Sequence, residues 1–248
     1  MNGVLGALIL TLIAGSATGI GGALVLFKKK ISSNFLAGAL GLSAGVMIFI
    51  SLAELFPESQ ALIEGTALQH GEVFVLISFF AGMGLIMLID FLVPEYENPH
   101  EASGLSLEAR TAAVGVLERT GSEKALHRLG IMSALAIAIH NIPEGIAVAI
   151  PIYYATKSKG KALLYATLSG LSEPVGAAIC YGLTAIFGIE LTGGSPAFPL
   201  VLAAVAGIMI YISLDELLPT AEKYGKHHVA IAGVIGGMAI MGISLLIM

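Results

Sequence analysis

An all-α bundle of membrane-spanning helices is what this sequence predicts, and three observations carry the prediction. Of 248 residues, 56% are hydrophobic and only 12% charged, whereas a water-soluble domain has roughly a quarter of its residues charged. The mean hydropathy is +0.92. Apolar runs of about 20 residues, the length a helix needs to cross the hydrocarbon core, recur along the whole chain.

Seven stretches qualify as spans: 3–27, 35–57, 72–93, 131–156, 162–187, 197–219 and 228–248. The N-terminus lacks the positively charged lead of a cleaved signal peptide, so the first run is read as a retained span. Residues 94–130 are too charged to enter lipid: they include Glu95, Glu97, Glu101, Glu108, Arg110, Glu118, Arg119, Glu123, Lys124 and Arg128. They are expected to form a cytoplasmic loop between spans three and four. Residues 1–248 are thus read as a single transmembrane domain. The net charge of −5, without a basic cluster, argues against a nucleic-acid partner. The single cysteine, Cys180, can form no intrachain disulfide.

Basic residues mark the cytoplasmic side. Lys28, Lys29 and Lys30 follow the first span, which places the N-terminus outside. The loop from Glu58 to Gly71 has no Lys or Arg, and the third span returns to the basic 94–130 segment. Seven sequential crossings then put Lys157, Lys159, Lys161, Lys223 and Lys226 outside, against the rule. One further crossing between Gly130 and Lys157 would restore it. An internal repeat gives the same answer. GLSAGVMIFISLAELFP at 41–57 and AAVAGIMIYISLDELLP at 203–219 share Ser, Glu and Pro at a constant offset. Transporters are often built from inverted repeats; seven crossings make these two helices codirectional, and eight make them inverted.

The chemistry concentrates at His140-Asn141-Ile142-Pro143-Glu144-Gly145, near the centre of the fourth span. His140 and Glu144 share a helix face, with Asn141 beside them. Pro143 lacks an N–H and so frees a carbonyl one turn back. Glu173-Pro174 occupies the same depth in the next span, freeing the Gly170 carbonyl. A charge at that depth costs about 2.5–3.5 kcal/mol on insertion scales, which a divalent cation can offset; imidazole with carboxylate suits Zn²⁺, Fe²⁺ and Mn²⁺. The plainer reading is that these groups are protonated or paired and hold helices together.

Other candidates weigh less. Glu54, Asp90, Asp215 and Glu216 fall at expected span ends, where solvated termini are the ordinary outcome. Met47 could supply a soft sulfur ligand or simply pack. His70, His100, His127, His227 and His228 lie in loops or at edges. Gly15-Gly19 and Gly41-Gly45 have the spacing that lets helices approach closely.

These residues together resemble the ZIP (Zrt/Irt-like) metal transporters, in their bacterial branch. The resemblance covers nearly the whole chain and rests on AGVMIFISLAELFP, HNIPEGIAVAIPIYYAT, LSGLSEPVGA and AGIMIYISLDELLP, in that order. It implies eight helices, with inverted outer triplets around two central ones, moving Zn²⁺, Fe²⁺ and related ions toward the cytoplasm without ATP hydrolysis. By the same resemblance His140, Asn141, Glu144 and Glu173 line a mid-membrane metal site. Met47 is implied near its entry side, and Asp90 and Asp215 along the cytoplasmic exit. The family pattern has two consecutive HNxPEG-like helices and this chain has one, as if a deletion had fused two similar segments.

The expectation is therefore a multi-pass transporter in the cytoplasmic membrane, with divalent metal ions as substrate and lipid as surroundings. No resident cofactor and no enzymatic activity are expected; a homodimer is left open. Two rivals stand beside it. A non-transporting, metal-binding relative would follow if the lost helix is essential. An intramembrane metallohydrolase would need a second histidine on the His140 face and a glutamate base, and Asn141 stands where that glutamate belongs.

Overall fold

Lipid offers a backbone no hydrogen-bond partners, so a spanning segment must satisfy its own N–H and C=O groups, as a helix does. The computed structural model describes residues 3–27, 32–92, 138, 141–142, 144–187, 195–224 and 226–247, and its regular structure there is entirely helical. Helix α1 is Gly3–Phe27. The rod α2 runs Ser33–Ile50, through a π-helical turn Ser51–Leu55, into Phe56–Glu64. Helix α3 is Gly71–Leu92, and α4 covers 144–156. Helix α5 is Lys159–Phe187, with Pro174 inside it. The rod α6 runs Ala197–Ile212, through a second π turn Ser213–Leu217, into Leu218–Tyr224. Helix α7 is His227–Ile247. Five of these are long and apolar enough to cross a membrane; α1 adds a shorter apolar stretch, Leu8–Leu24. The expected fourth span, 131–156, is described only in part. The expected 94–130 loop lies outside the described residues.

The repeat is reproduced down to its hydrogen bonds. Ser51 Oγ donates to the Met47 carbonyl and Ser213 Oγ to the Met209 carbonyl, both at 2.7 Å. The Phe56 N–H reaches back five residues to Ser51, and the Leu218 N–H five residues to Ser213. A proline follows immediately in each, Pro57 and Pro219. Proline has no N–H and its ring presses on the carbonyl four residues back; a widened turn makes room for it. This corrects the span ends expected at 57 and 219. Both rods continue past their prolines, so Glu54, Asp215 and Glu216 sit in π turns within rods, not at helix termini.

The helices pack in two groups. Rods α2 and α6 are largely buried, flanked by the mostly exposed α3 and α7. Helix α7 lies along α2 and α3 along α6. Small residues permit this closeness: a side chain on Gly41 or Gly45 would overlap the Ala230 or Val234 carbonyl, and one on Gly82 would overlap that of Ala204. The outward faces, such as Phe80, Leu85, Leu88 and Ile243, suit lipid. The second group is α1, α4 and α5. Gly15 meets Gly170 and Gly22 meets Ala166, while Gly145 meets Thr18 and Gly22. Ile146 to Ile150 of α4 join the apolar core of the first group.

These pairings fix relative direction. Numbers rise together between α2 and α7 (41 with 230, 45 with 234) and between α3 and α6 (78 with 200, 82 with 204). They also rise together between α1 and α4 (18 with 145, 22 with 149), and run oppositely between α1 and α5. The first half of α2 packs on the last part of α6, and its Phe56–Glu64 portion on Ala197–Ile212, so the repeated rods are inverted. Helices α4 and α5 join through a tight turn: Lys157 takes φ 53°, the left-handed conformation that ends helices, and its N–H bonds to the Tyr153 carbonyl at 2.8 Å. Seven sequential crossings would set α1 and α4 antiparallel. The parallel course of α1 and α4 is the one the eight-crossing pattern requires.

Candidate metal centre

Three of the expected site residues are deeply buried although polar: Glu173 is 1% exposed, Asn141 2% and Glu144 6%. Burying such groups without partners costs several kcal/mol, so each demands one. Asn141 supplies much of the answer. Its Nδ2 donates to Glu173 Oε1 at 2.8 Å, to Glu173 Oε2 at 3.0 Å, and to the Ala14 carbonyl of α1 at 3.0 Å. The amide nitrogen is thereby committed, and Oδ1 is the atom left for a cation. Glu144, one turn further along, is near enough to Glu173 for their charges to interact.

Two glycines create this proximity. Gly15 faces the Gly170 carbonyl, the one freed by Pro174, and a side chain there would also come within 3.3 Å of Glu173 Oε2. Gly145, next to Glu144, lets α4 lie directly on the α1 backbone at Thr18. The backbone of α1 therefore floors the site, whereas the Gly15-Gly19 spacing pointed only to close helix packing. Its small residues at 14, 15 and 18 were the available signal.

His140 and Pro143 lie outside the described residues. Among the described residues no group of three His, Cys, Asp or Glu side chains converges on a single point; Asn141, Glu144 and Glu173 form an acid–amide–acid cluster instead. Met47 is buried in α2, in the same apolar core as Ile146 to Ile150, and its described hydrogen bond is through its carbonyl. Asp90 and Asp215 meet elsewhere. The Tyr211 hydroxyl of α6 faces both carboxylates, bringing the end of α3 to the second π turn. Tyr211 was not anticipated, because nothing in the sequence pairs positions 90 and 211. His227 Nδ1 lies 2.7 Å from Glu222 Oε1 on an exposed edge.

Two adjacent buried carboxylates repel, and in lipid neither water nor a counter-residue relieves them cheaply. A doubly charged cation would do so, taking carboxylate oxygens from α4 and α5 and the Asn141 amide oxygen.

The chain is similar to known proteins over its whole length. A family model described as ZIP Zinc transporter matches residues 125–245. "Zinc transporter ZupT" of Clostridium perfringens is 45% identical over 282 positions, covering 100% of this chain and 97% of that protein. "Zinc transporter ZupT" of Chlorobium phaeovibrioides is 47% identical over 278 positions, covering all of both. That of Akkermansia muciniphila is 44% identical, covering 98% of this chain and 97% of that protein. The first two alignments span 282 and 278 positions against 248 residues here, so about 34 and 30 positions have no counterpart in this chain. That total is long enough for one crossing of about 20 residues with its loop.

Proposed function

The chain belongs to the ZIP zinc transporter family, and we propose that it carries its ion through the Asn141–Glu144–Glu173 cluster, with His140 as the fourth donor. It is a multi-pass membrane transporter of divalent metal ions, zinc foremost, and the rival of a non-transporting relative is not favoured by full-length relatives that are transporters. The observation that carries the site assignment is the pair of buried glutamates on neighbouring helices, one held through both oxygens by Asn141.

The rest of the reading follows from donor chemistry and charge. Fe²⁺ and Mn²⁺ accept the same imidazole, amide and carboxylate donors as Zn²⁺ and extend the proposed substrate range. Movement is toward the cytoplasm. Met47 stands by the entry, and the Asp90–Asp215 pair beyond the cluster takes up the ion on its way out. The protein resides in the cell membrane with its N-terminus outside. The parallel course of α1 and α4 supports this orientation, since the charge rule then asks for Lys157, Lys159 and Lys161 to share the cytoplasmic side with Lys28–Lys30. A homodimer is compatible with the broad exposed apolar faces of α3 and α7.

The deciding experiment is zinc uptake by cells or proteoliposomes containing the full chain, beside Glu173→Gln. The substitution keeps the side chain's shape and removes its charge. Uptake should fall to background at equal membrane abundance; undiminished uptake would discard the site.

A further inference from the structure

Resting on the reading of Glu173 as a cation ligand, we propose that Thr18 of α1 is a positioning residue of the transport site, whose hydroxyl donates to the Glu173 carboxylate and holds it for the ion. Thr18 occupies the crossing point of the three helices. A side chain on Gly145 would overlap its carbonyl oxygen, and one on Gly170 would come within 2.8 Å of its Cβ. It therefore stands between the residue next to Glu144 and the residue one turn before Glu173, and it is 0% exposed.

What sets Thr18 apart is where its proton can go. Buried and lipid-facing hydroxyls usually bond back to the carbonyl four residues earlier. Ser16 does so to Leu12, Thr167 to Leu163, Ser51 to Met47 and Ser213 to Met209. For Thr18 that carbonyl belongs to Ala14, and it accepts from Asn141. The Thr18 hydroxyl makes no hydrogen bond of regular geometry, while it faces the Glu173 carboxylate. A buried donor deprived of its local acceptor and set against a carboxylate is placed to give its proton there, and in hydrocarbon it has no water to use instead.

The consequence is a carboxylate held from two helices. Asn141 in the polar stretch before α4 grips both oxygens, and Thr18 in α1 adds a second donor. When a cation draws Glu173 toward Glu144 and Oδ1 of Asn141, Thr18 keeps the carboxylate plane from swinging. The ion itself needs no contact with Thr18.

The test compares initial rates of zinc uptake across a range of zinc concentrations for Thr18→Val and Thr18→Ser, normalised to transporter in the membrane. Valine keeps the shape and deletes the hydroxyl; serine keeps the hydroxyl and deletes the methyl. Outer-shell partners of metal ligands typically contribute 10–100-fold in affinity, so Thr18→Val should raise KM by about 10-fold, with the maximal rate changed less than about twofold. Thr18→Ser should stay within about twofold of the parent in KM, as rescue by a retained donor requires. A parental KM in Thr18→Val overturns the proposal, as does an equal rise in both variants, which would mean packing alone. Should the valine variant fail to reach the membrane, Thr18→Ala removes the hydroxyl without adding bulk and is judged by the same criterion. Glu173→Gln separates the two readings. Full uptake in that variant removes the site and Thr18 with it, whereas lost uptake beside a normal Thr18→Val removes only the role of Thr18.

Discussion

The side-chain amide of Asn141 donates to both carboxylate oxygens of Glu173, at 2.8 and 3.0 Å, and to the Ala14 carbonyl of a third segment at 3.0 Å. One nitrogen thus ties together the polar turn before α4, the proline-containing α5 and the floor provided by α1. The link is made between groups almost entirely withdrawn from solvent, where hydrogen bonds to charged partners are strongest and their loss is most felt.

Replacing Asn141 with leucine should therefore damage binding and stability together. Leucine offers no donor to Glu173 or Ala14, and each buried acceptor left unsatisfied costs about 1–3 kcal/mol. Apparent zinc affinity in uptake should drop by roughly 10–100-fold, with a lowered unfolding temperature in detergent. Parental affinity would contradict the assigned role.

Topology gives an independent test. With Cys180 replaced by serine, single cysteines at Lys29 and at Ser158 should react with a membrane-impermeant maleimide from the same side, because α1 and α4 run in parallel. Labelling from opposite sides would refute the parallel arrangement.

Close helix contacts make a third prediction. Leucine at Gly45 must overlap the Val234 carbonyl of α7, whereas Gly84 has nothing within 4 Å. Overpacking costs about 1–3 kcal/mol, so Gly45→Leu should reduce thermal stability or membrane yield. Gly84→Leu should match the parent, since a side chain there meets open space.

Tyr211→Phe removes the hydroxyl that Asp90 and Asp215 share. The group is only half-buried, so the lost hydrogen bonding should destabilise by about 0.5–1.5 kcal/mol, read as a small drop in melting temperature. If the two acids pass the ion on to the cytoplasm, the maximal uptake rate should change more than KM.

Much of the helix inventory was legible because lipid imposes length and hydrophobicity on every span, and the chain obeys both. The repeat was legible because Ser, Glu and Pro stand out against an apolar background. Its π turns were not. A proline normally signals the end of a helix, and only the five-residue hydrogen bonds to Ser51 and Ser213 show how each rod accommodates one and runs on. At the cluster, depth and spacing singled out Asn141, Glu144 and Glu173, since ionisable groups in the middle of an apolar run have few innocuous explanations. Thr18 and Tyr211 escaped notice because a single hydroxyl in a span is commonplace until its neighbours are known.

By itself, then, the order of amino acids determined that this is a multi-pass membrane protein, which segments are long and apolar enough to cross a bilayer, and which polar side chains interrupt them. Those properties depend on local composition and helical periodicity, which a linear reading contains. Tertiary structure decided which helices run in parallel, that the repeated rods are inverted, and that Asn141 binds Glu173 rather than some other acid. Such facts arise from backbones meeting at glycines far apart in sequence, such as Gly15 with Gly170 and Gly145 with Thr18, and no local pattern encodes which of many glycines will meet.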